Sequence, residues 1–354
     1  MTATLDELFE AAGCVRIETP ILHPAEPFLN AAGEAFRKSL FVTSRADGET
    51  LCLRPDFTIP VCLAHKGGPA RYHYSGTVFR QSMRPGDSGH QEREQVGVEA
   101  FGEADWVKAD TDMVLLALAA VRALSDVEPV VLIGDPAFFD ALVQPVGLPK
   151  IWRERLTRAF GNADLINTML QRMVTPPNPG ETAFANADAE KLTHEVAAMM
   201  ASHAISPTAG RTPEEIVRRF IKKRDDQITV SNQVAEICQL FLALECAGSR
   251  AGATMARFGT QHGIDFSPAI ERYDARLAGL QDEEAELVFA ASFGRSLEYY
   301  TGFVFEIHDA RNRAAGPVAG GGRYDGLSEL LGGASLPAVG FSIWLDRMTR
   351  KARG

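Results

Sequence analysis

Residues Phe79–Gly102 read FRQSMRPGDSGHQEREQVGVEAFG. Within them, Gln95-Val96-Gly97-Val98-Glu99-Ala100-Phe101 alternates at the period of a β-strand, so residues 95, 97 and 99 face one way and Val96, Val98 and Ala100 the other. The apolar side is the underside of a buried sheet. On the other side Gln95 and Glu99 flank a glycine, which predicts a pocket floor where a small polar molecule lies against the backbone. Upstream, Arg80 and Arg84 precede Pro85-Gly86-Asp87-Ser88-Gly89, turn residues between two extended runs, so a hairpin with a long tip is expected. Its charges fit a substrate-gripping hairpin and a solvated surface hairpin equally.

The rest of the composition sets limits. A chain of 354 residues with 45% hydrophobic content has room for one large or two ordinary domains around a real core. No apolar run approaches the roughly 20 residues of a membrane span. The N-terminus, MTATLDELFEAAG, carries acidic residues where a signal peptide wants basic ones, so a cytoplasmic protein without a membrane partner is expected. Five scattered cysteines, Cys14, Cys52, Cys62, Cys238 and Cys246, form no C-x-x-C pair; they read as reduced, mostly buried thiols, with no disulfide framework, metal site or cofactor expected. A net charge of -10 opposes holding a phosphate backbone as the main task.

Along the chain, helix Leu5–Ala12 leads into an extended Val15–Leu22 whose Pro20 suits a strand end, an edge of the kind that pairs across a dimer. Leu40–Thr43 and Thr50–Leu53 form a hairpin about Asp47-Gly48. Pro55 and Pro60 hold Asp56 and Thr58 on an irregular segment, where they either face a site or cap the helix Val61–His65. After a helix beyond Gly102, with Asp105, Asp110 and Asp112 near its start, strand Val130–Ile133 and helix Ala137–Val143 continue the body. Residues 148–285 lack strand signals and read as a mainly helical insertion, broken at Thr175–Gly180 and Ser206-Pro207, within a core formed by 1–147 and 286–354. Thr212-Pro213-Glu214-Glu215 is a capping box. Behind it, Arg218, Arg219, Lys222, Lys223 and Arg224 read either as a phosphate or RNA patch or as a solvated face neutralised by Asp225 and Asp226. From Tyr300 strand alternation returns, with Thr301, Phe303, Phe305 and Ile307 on the core side; Gly320-Gly321-Gly322 suits a tight turn or close approach to a ligand.

Taken together, Pro20, LRPDFT (Leu53–Thr58), Phe79-Arg80, QVGVE (Gln95–Glu99), RSLEYYTGFVFE (Arg295–Glu306), GGGRYDGL (Gly320–Leu327) and GFSIWLDR (Gly340–Arg347) resemble the catalytic core of histidyl-tRNA synthetase. The resemblance implies an α+β fold, a class II aminoacyl-tRNA synthetase-like antiparallel sheet flanked by helices, dimeric around Pro20. It also implies histidine as ligand. Asp56, Thr58 and Gln95 would hold its α-amino end, Glu99 and Tyr300 would read its imidazole, Arg80 and Arg295 would face its carboxylate, and Tyr299 and Tyr324 join the set. The chemistry agrees: a neutral imidazole has one donor and one acceptor nitrogen, and a buried site built to pair them rejects ligands that leave its groups unpaired.

Departures from the synthetase pattern narrow the expectation. Its F-R-x-E becomes Phe79-Arg80-Gln81-Ser82, its G-x-G-x-E-R is distorted at Gly340–Arg347, where Trp344 adds a bulky ring, and no anticodon-binding domain is expected after Arg347. Arg295 stands at the position of the catalytic arginine. This combination resembles the synthetase paralogues that serve as regulatory subunits of ATP phosphoribosyltransferase. That resemblance implies a non-catalytic homodimer within a larger hetero-oligomer with the short-form catalytic subunit, supporting the first step of histidine biosynthesis and its feedback inhibition. The alternatives are a synthetase-like enzyme forming histidyl-adenylate and an RNA-binding remnant.

Overall fold

The computed structural model describes residues 2–31, 34–81, 91–175, 188–202, 212–218, 229–280, 285–294 and 299–348. Its strands are β1 (Val15–Arg16), β2 (Leu22–Pro24), β3 (Val42–Ser44), β4 (Thr50–Leu53), β5 (Ala70–Phe79), β6 (Glu92–Phe101), β7 (Pro129–Gly134), β8 (Glu245–Ala247), β9 (Glu286–Ala290), β10 (Val304–Asp309), β11 (Ala319–Arg323) and β12 (Ala338–Trp344). Nine form one sheet in the order β1-β5-β6-β12-β11-β10-β7-β9-β8; β2-β4-β3 form a small antiparallel sheet. The middle run from β5 to β7 is antiparallel, as expected, while the outer pairs β1–β5 and β7–β9 are parallel.

The alternation seen in the sequence explains the layers. Val96, Val98 and Ala100 are buried, and helix Trp106–Leu124 packs on β11 and β12 with Val114, Leu118 and Val121 inside. Asp105 caps that helix by accepting from the Lys108 amide at 3.0 Å. Two local expectations change. The helix after Asp56 begins at Thr58, so Pro60 falls in its first turn, where a missing N–H costs nothing. The glycine run is neither turn nor loop; it is β11, paired with β10 on one side and β12 on the other.

The chain divides into two compact units, Met1–Leu142 with Phe160–Asn162 and Phe241–Gly354, and Val143–Ala159 with Ala163–Leu240. The helical region drawn from sequence at 148–285 is thus divided at Phe241. β8 pairs with β9, and Phe241 and Phe266 stack in the same aromatic cluster as Phe138 and Phe289, so this stretch belongs to the sheet. Three residues of strand among helices gave too short a period to read. The second unit is helical and buries Trp152, Leu156, Ile166, Leu170 and Met173. Its capping box is present: Thr212 and Glu215 exchange amide-to-side-chain bonds at 3.3 Å. Among the described residues no helix is long and apolar enough to cross a membrane.

Candidate functional site

Antiparallel register builds the site. Gln95, Gly97 and Glu99 of β6 stand beside Gly76, Tyr74 and Tyr72 of β5 on one flank and Trp344, Ser342 and Gly340 of β12 on the other. The gap expected above Gly97 is filled. A Cβ there would overlap the Tyr74 hydroxyl and the Phe341 carbonyl, so the glycine makes room for a tyrosine and not for a ligand. Tyr74, which sequence reasoning missed, is held by stacking on Phe57 at 4.3 Å, and Phe57 lies under the Arg54 guanidinium at 4.1 Å. The available signal was a tyrosine aligned opposite a glycine, visible only once β5 and β6 are known to pair.

Tyr74 belongs to the shell of Glu99, which is 1% exposed. One Glu99 oxygen accepts from the Thr58 hydroxyl at 2.8 Å and from Tyr74 at 3.2 Å; the other accepts from Tyr324. A carboxylate buried among hydroxyls is poorly stabilised as an anion. Burial pushes its pKa up from 4.5 to about 7 against the opposing pull of the Tyr324, Thr58 and Tyr74 hydroxyls, and the Asp56 charge adds to the rise. Burial likewise raises the phenols of Tyr74, Tyr299 and Tyr324 well above their ordinary value, with the Glu99 charge contributing.

The remaining expected residues gather around this group. Asp56 does both things that its sequence position allowed: one oxygen accepts from the Ile59 amide at 3.4 Å in the first helical turn, and the other lies 3.8 Å from the Arg80 guanidinium. Thr58 gives its hydroxyl to Glu99 and not to the helix. Arg80 donates from Nε to the Pro55 carbonyl at 2.8 Å. Tyr299, Tyr300 and Tyr324 form a ring cluster with centroids 4.9 to 6.3 Å apart, and Tyr299 lies beside Thr58. Gln95 is 1% exposed, and its Oε1 is buried with no hydrogen-bond partner among the described residues. Such an orphaned acceptor is costly unless a donor arrives. Arg295 and the hairpin residues 82–90, with Ser82 and Arg84, lie outside the described residues, as do Arg219 to Asp226 of the basic stretch. Among the described residues no cluster of three or more His, Cys, Asp or Glu is placed to hold a metal ion.

A family model for histidyl-tRNA synthetase matches residues 1–231 and 159–348. The ATP phosphoribosyltransferase regulatory subunit of Brucella ovis is 39% identical over 348 residues, covering 94% of this chain and 92% of its own length. That of Brucella melitensis biotype 1 is 39% identical over 94% of this chain and 91% of its own. The chain belongs to the ATP phosphoribosyltransferase regulatory subunit family. Two solved structures resemble this regulatory-subunit chain in fold. A Bacillus halodurans protein described as ATP phosphoribosyltransferase regulatory subunit/histidyl-tRNA synthetase has a TM-score of 0.65 at 22% identity, covering 98% of this chain and 76% of its own. The histidyl-tRNA synthetase of a Nostoc species has a TM-score of 0.63 at 16% identity, over 98% and 69%. At these identities the likeness is one of fold, that of the class II synthetase core.

Within this member of the regulatory-subunit family the distorted final motif has a definite arrangement. Trp344 is 7% exposed, its ring lies 4.8 Å from the Arg347 guanidinium, and Arg347 donates to the Pro317 carbonyl at 2.8 Å. Burial and the neighbouring Arg93 and Arg80 charges lower the Arg347 pKa, while Asp346 and Glu306 oppose that effect.

Proposed function

We propose that this protein is the non-catalytic regulatory subunit of an ATP phosphoribosyltransferase and that the Glu99 pocket binds histidine. The family supports the first half of this reading, since relatives carrying that name match 94% of the chain. The observation that carries the second is the pairing of a buried, hydroxyl-lined Glu99 with the orphaned Gln95 acceptor. Histidine has complementary donors: an imidazole N–H for Glu99 and an α-ammonium for Gln95 and Asp56, while its carboxylate meets Arg80 and Arg295. Tyr300, beside Tyr299 and Tyr324, completes the imidazole end.

In this reading the partner is the short-form catalytic subunit, and the complex carries out the first step of histidine biosynthesis in the cytoplasm under feedback inhibition by histidine. A homodimer within the hetero-oligomer would use the region around Pro20, where Val15, Ile21, Leu22 and Val42 are exposed apolar residues. Mixing the purified chain with a short-form catalytic subunit tests the assignment. Phosphoribosyl transfer that neither partner gives alone is expected, with histidine binding to this chain by calorimetry. Histidine-dependent ATP–pyrophosphate exchange by this chain would refute the non-catalytic reading in favour of an adenylate-forming enzyme, and no gain in the mixture would refute the partnership.

A further inference from the structure

Behind the pocket lies a charged cluster that the ligand reading does not use. Asp110 is 0% exposed, and one of its oxygens accepts from Arg323 Nε at 2.9 Å and Nη2 at 2.7 Å. Its other oxygen accepts from Arg276 Nε at 2.7 Å, and Arg276 Nη1 donates to Asp135 at 2.7 Å. Arg323 also donates from Nη1 to Asp325 at 2.8 Å and from Nη2 to the Trp106 carbonyl at 3.3 Å. The planar guanidinium is therefore fixed on three sides, which a lysine ammonium would not reproduce.

Buried ion pairs repay their desolvation poorly, and apolar replacements of similar volume are often as stable. Their geometry is what distinguishes this cluster. Tyr324, the donor to Glu99, sits between Arg323 and Asp325, and its amide bonds the Ala338 carbonyl at 2.8 Å. Asp325 accepts from the Ala338 amide at 2.8 Å. The next clamp holds the other two tyrosines: the Thr301 amide donates to the Arg323 carbonyl at 2.9 Å, and the Asp325 amide donates to the Thr301 hydroxyl at 3.0 Å. Thr301 follows Tyr299 and Tyr300 directly in the chain.

We propose that Asp110, Arg323, Asp325 and Thr301 are positioning residues of the ligand pocket, holding Tyr324, Tyr299 and Tyr300 in register around Glu99. Arg323 is the node, reaching back to Asp110 through its side chain and forward to Thr301 through its carbonyl. This rests on the reading that the pocket binds histidine.

The test is calorimetric histidine binding by the full chain, with an unfolding midpoint measured for each variant. Thr301→Val removes one exposed hydroxyl and is expected to leave the midpoint in place while weakening histidine binding roughly tenfold. Thr301→Ser keeps the acceptor and should restore wild-type affinity. Arg323→Lys should weaken binding at least as much as Thr301→Val. Wild-type affinity in Thr301→Val overturns the proposal and leaves the histidine reading standing. A loss that Thr301→Ser does not restore also overturns it. No histidine binding by the unaltered chain overturns both.

Discussion

Replacing Glu99 by glutamine separates the cost of burying a carboxyl from the benefit of reading a ligand with it. The folded chain holds this carboxyl at a pKa of about 7 against an ordinary 4.5. Between these values the folded state keeps a proton that the unfolded state has released, so stability falls as pH rises. The contribution is fully present below about pH 4.5 and lost above about pH 7, a difference of about 3.4 kcal/mol at roughly 1.4 kcal/mol for each pH unit. Glu99→Gln has no proton to release and lacks this slope. The amide can still accept from Thr58 and Tyr74, while Tyr324 must turn its hydroxyl to accept, a pH-independent change of about 1 kcal/mol. The informative quantity is therefore the difference in unfolding free energy between wild type and Glu99→Gln, measured by urea denaturation at about pH 5 and about pH 8. The wild type is expected to lose about 2.5 kcal/mol relative to the variant across that range, while the variant loses histidine binding. A gap independent of pH, or one that grows in favour of the wild type as pH rises, would refute the placement of a buried, only partly compensated carboxyl at this position.

Two other substitutions probe the same shell. Tyr74→Phe keeps the stack on Phe57 but removes a donor to Glu99; we expect a stability loss of about 1 kcal/mol and weaker histidine binding by calorimetry, and unchanged affinity would show Tyr74 to be packing alone. At Gly340, a Cβ would overlap Glu99 Oε2 and lies 2.6 Å from the Val98 carbonyl. Gly340→Ala should lower the unfolding free energy by roughly 2–4 kcal/mol and abolish binding, and a variant of wild-type stability would contradict the packing of β12 against β6.

The parts of this site that lie along single strands were legible in the sequence, because the two-residue period assigns a face to each residue without knowledge of its partners. Gln95 and Glu99 were placed in this way, and both are buried on the face expected. What depended on pairing was not legible. Tyr74 reaches Glu99 because β5 lies beside β6 in one particular register, and Asp110 meets Arg276 and Arg323 across separations of 166 and 213 residues. Asp110 read simply as one of several acids near a helix start. At Asp56 and Thr58 local chemistry supported two roles, and only the fold assigned the Thr58 hydroxyl to Glu99 while letting Asp56 cap its helix and face Arg80.

If the pocket binds histidine as proposed, the hydroxyl lining of Glu99 suits it to sensing. An arginine against this carboxylate would stabilise its charge and occupy the lone pairs that a ligand N–H must use. Thr58, Tyr74 and Tyr324 hold it in place while leaving its charge only partly compensated. A ligand without a donor for Gln95 Oε1 leaves that buried acceptor unpaired, a penalty of about 1–3 kcal/mol that discriminates against close analogues. Discrimination alone does not regulate. Feedback requires histidine to bind two states of the complex with different affinity. The tyrosines at 299, 300 and 324 sit on segments clamped through Arg323, and any change that moved this clamp would alter the tyrosine cluster, the imidazole end in the proposed reading, before it touched β6. Affinity differences between states should therefore reside in these tyrosines, with Gln95 and Glu99 as the fixed half of the site.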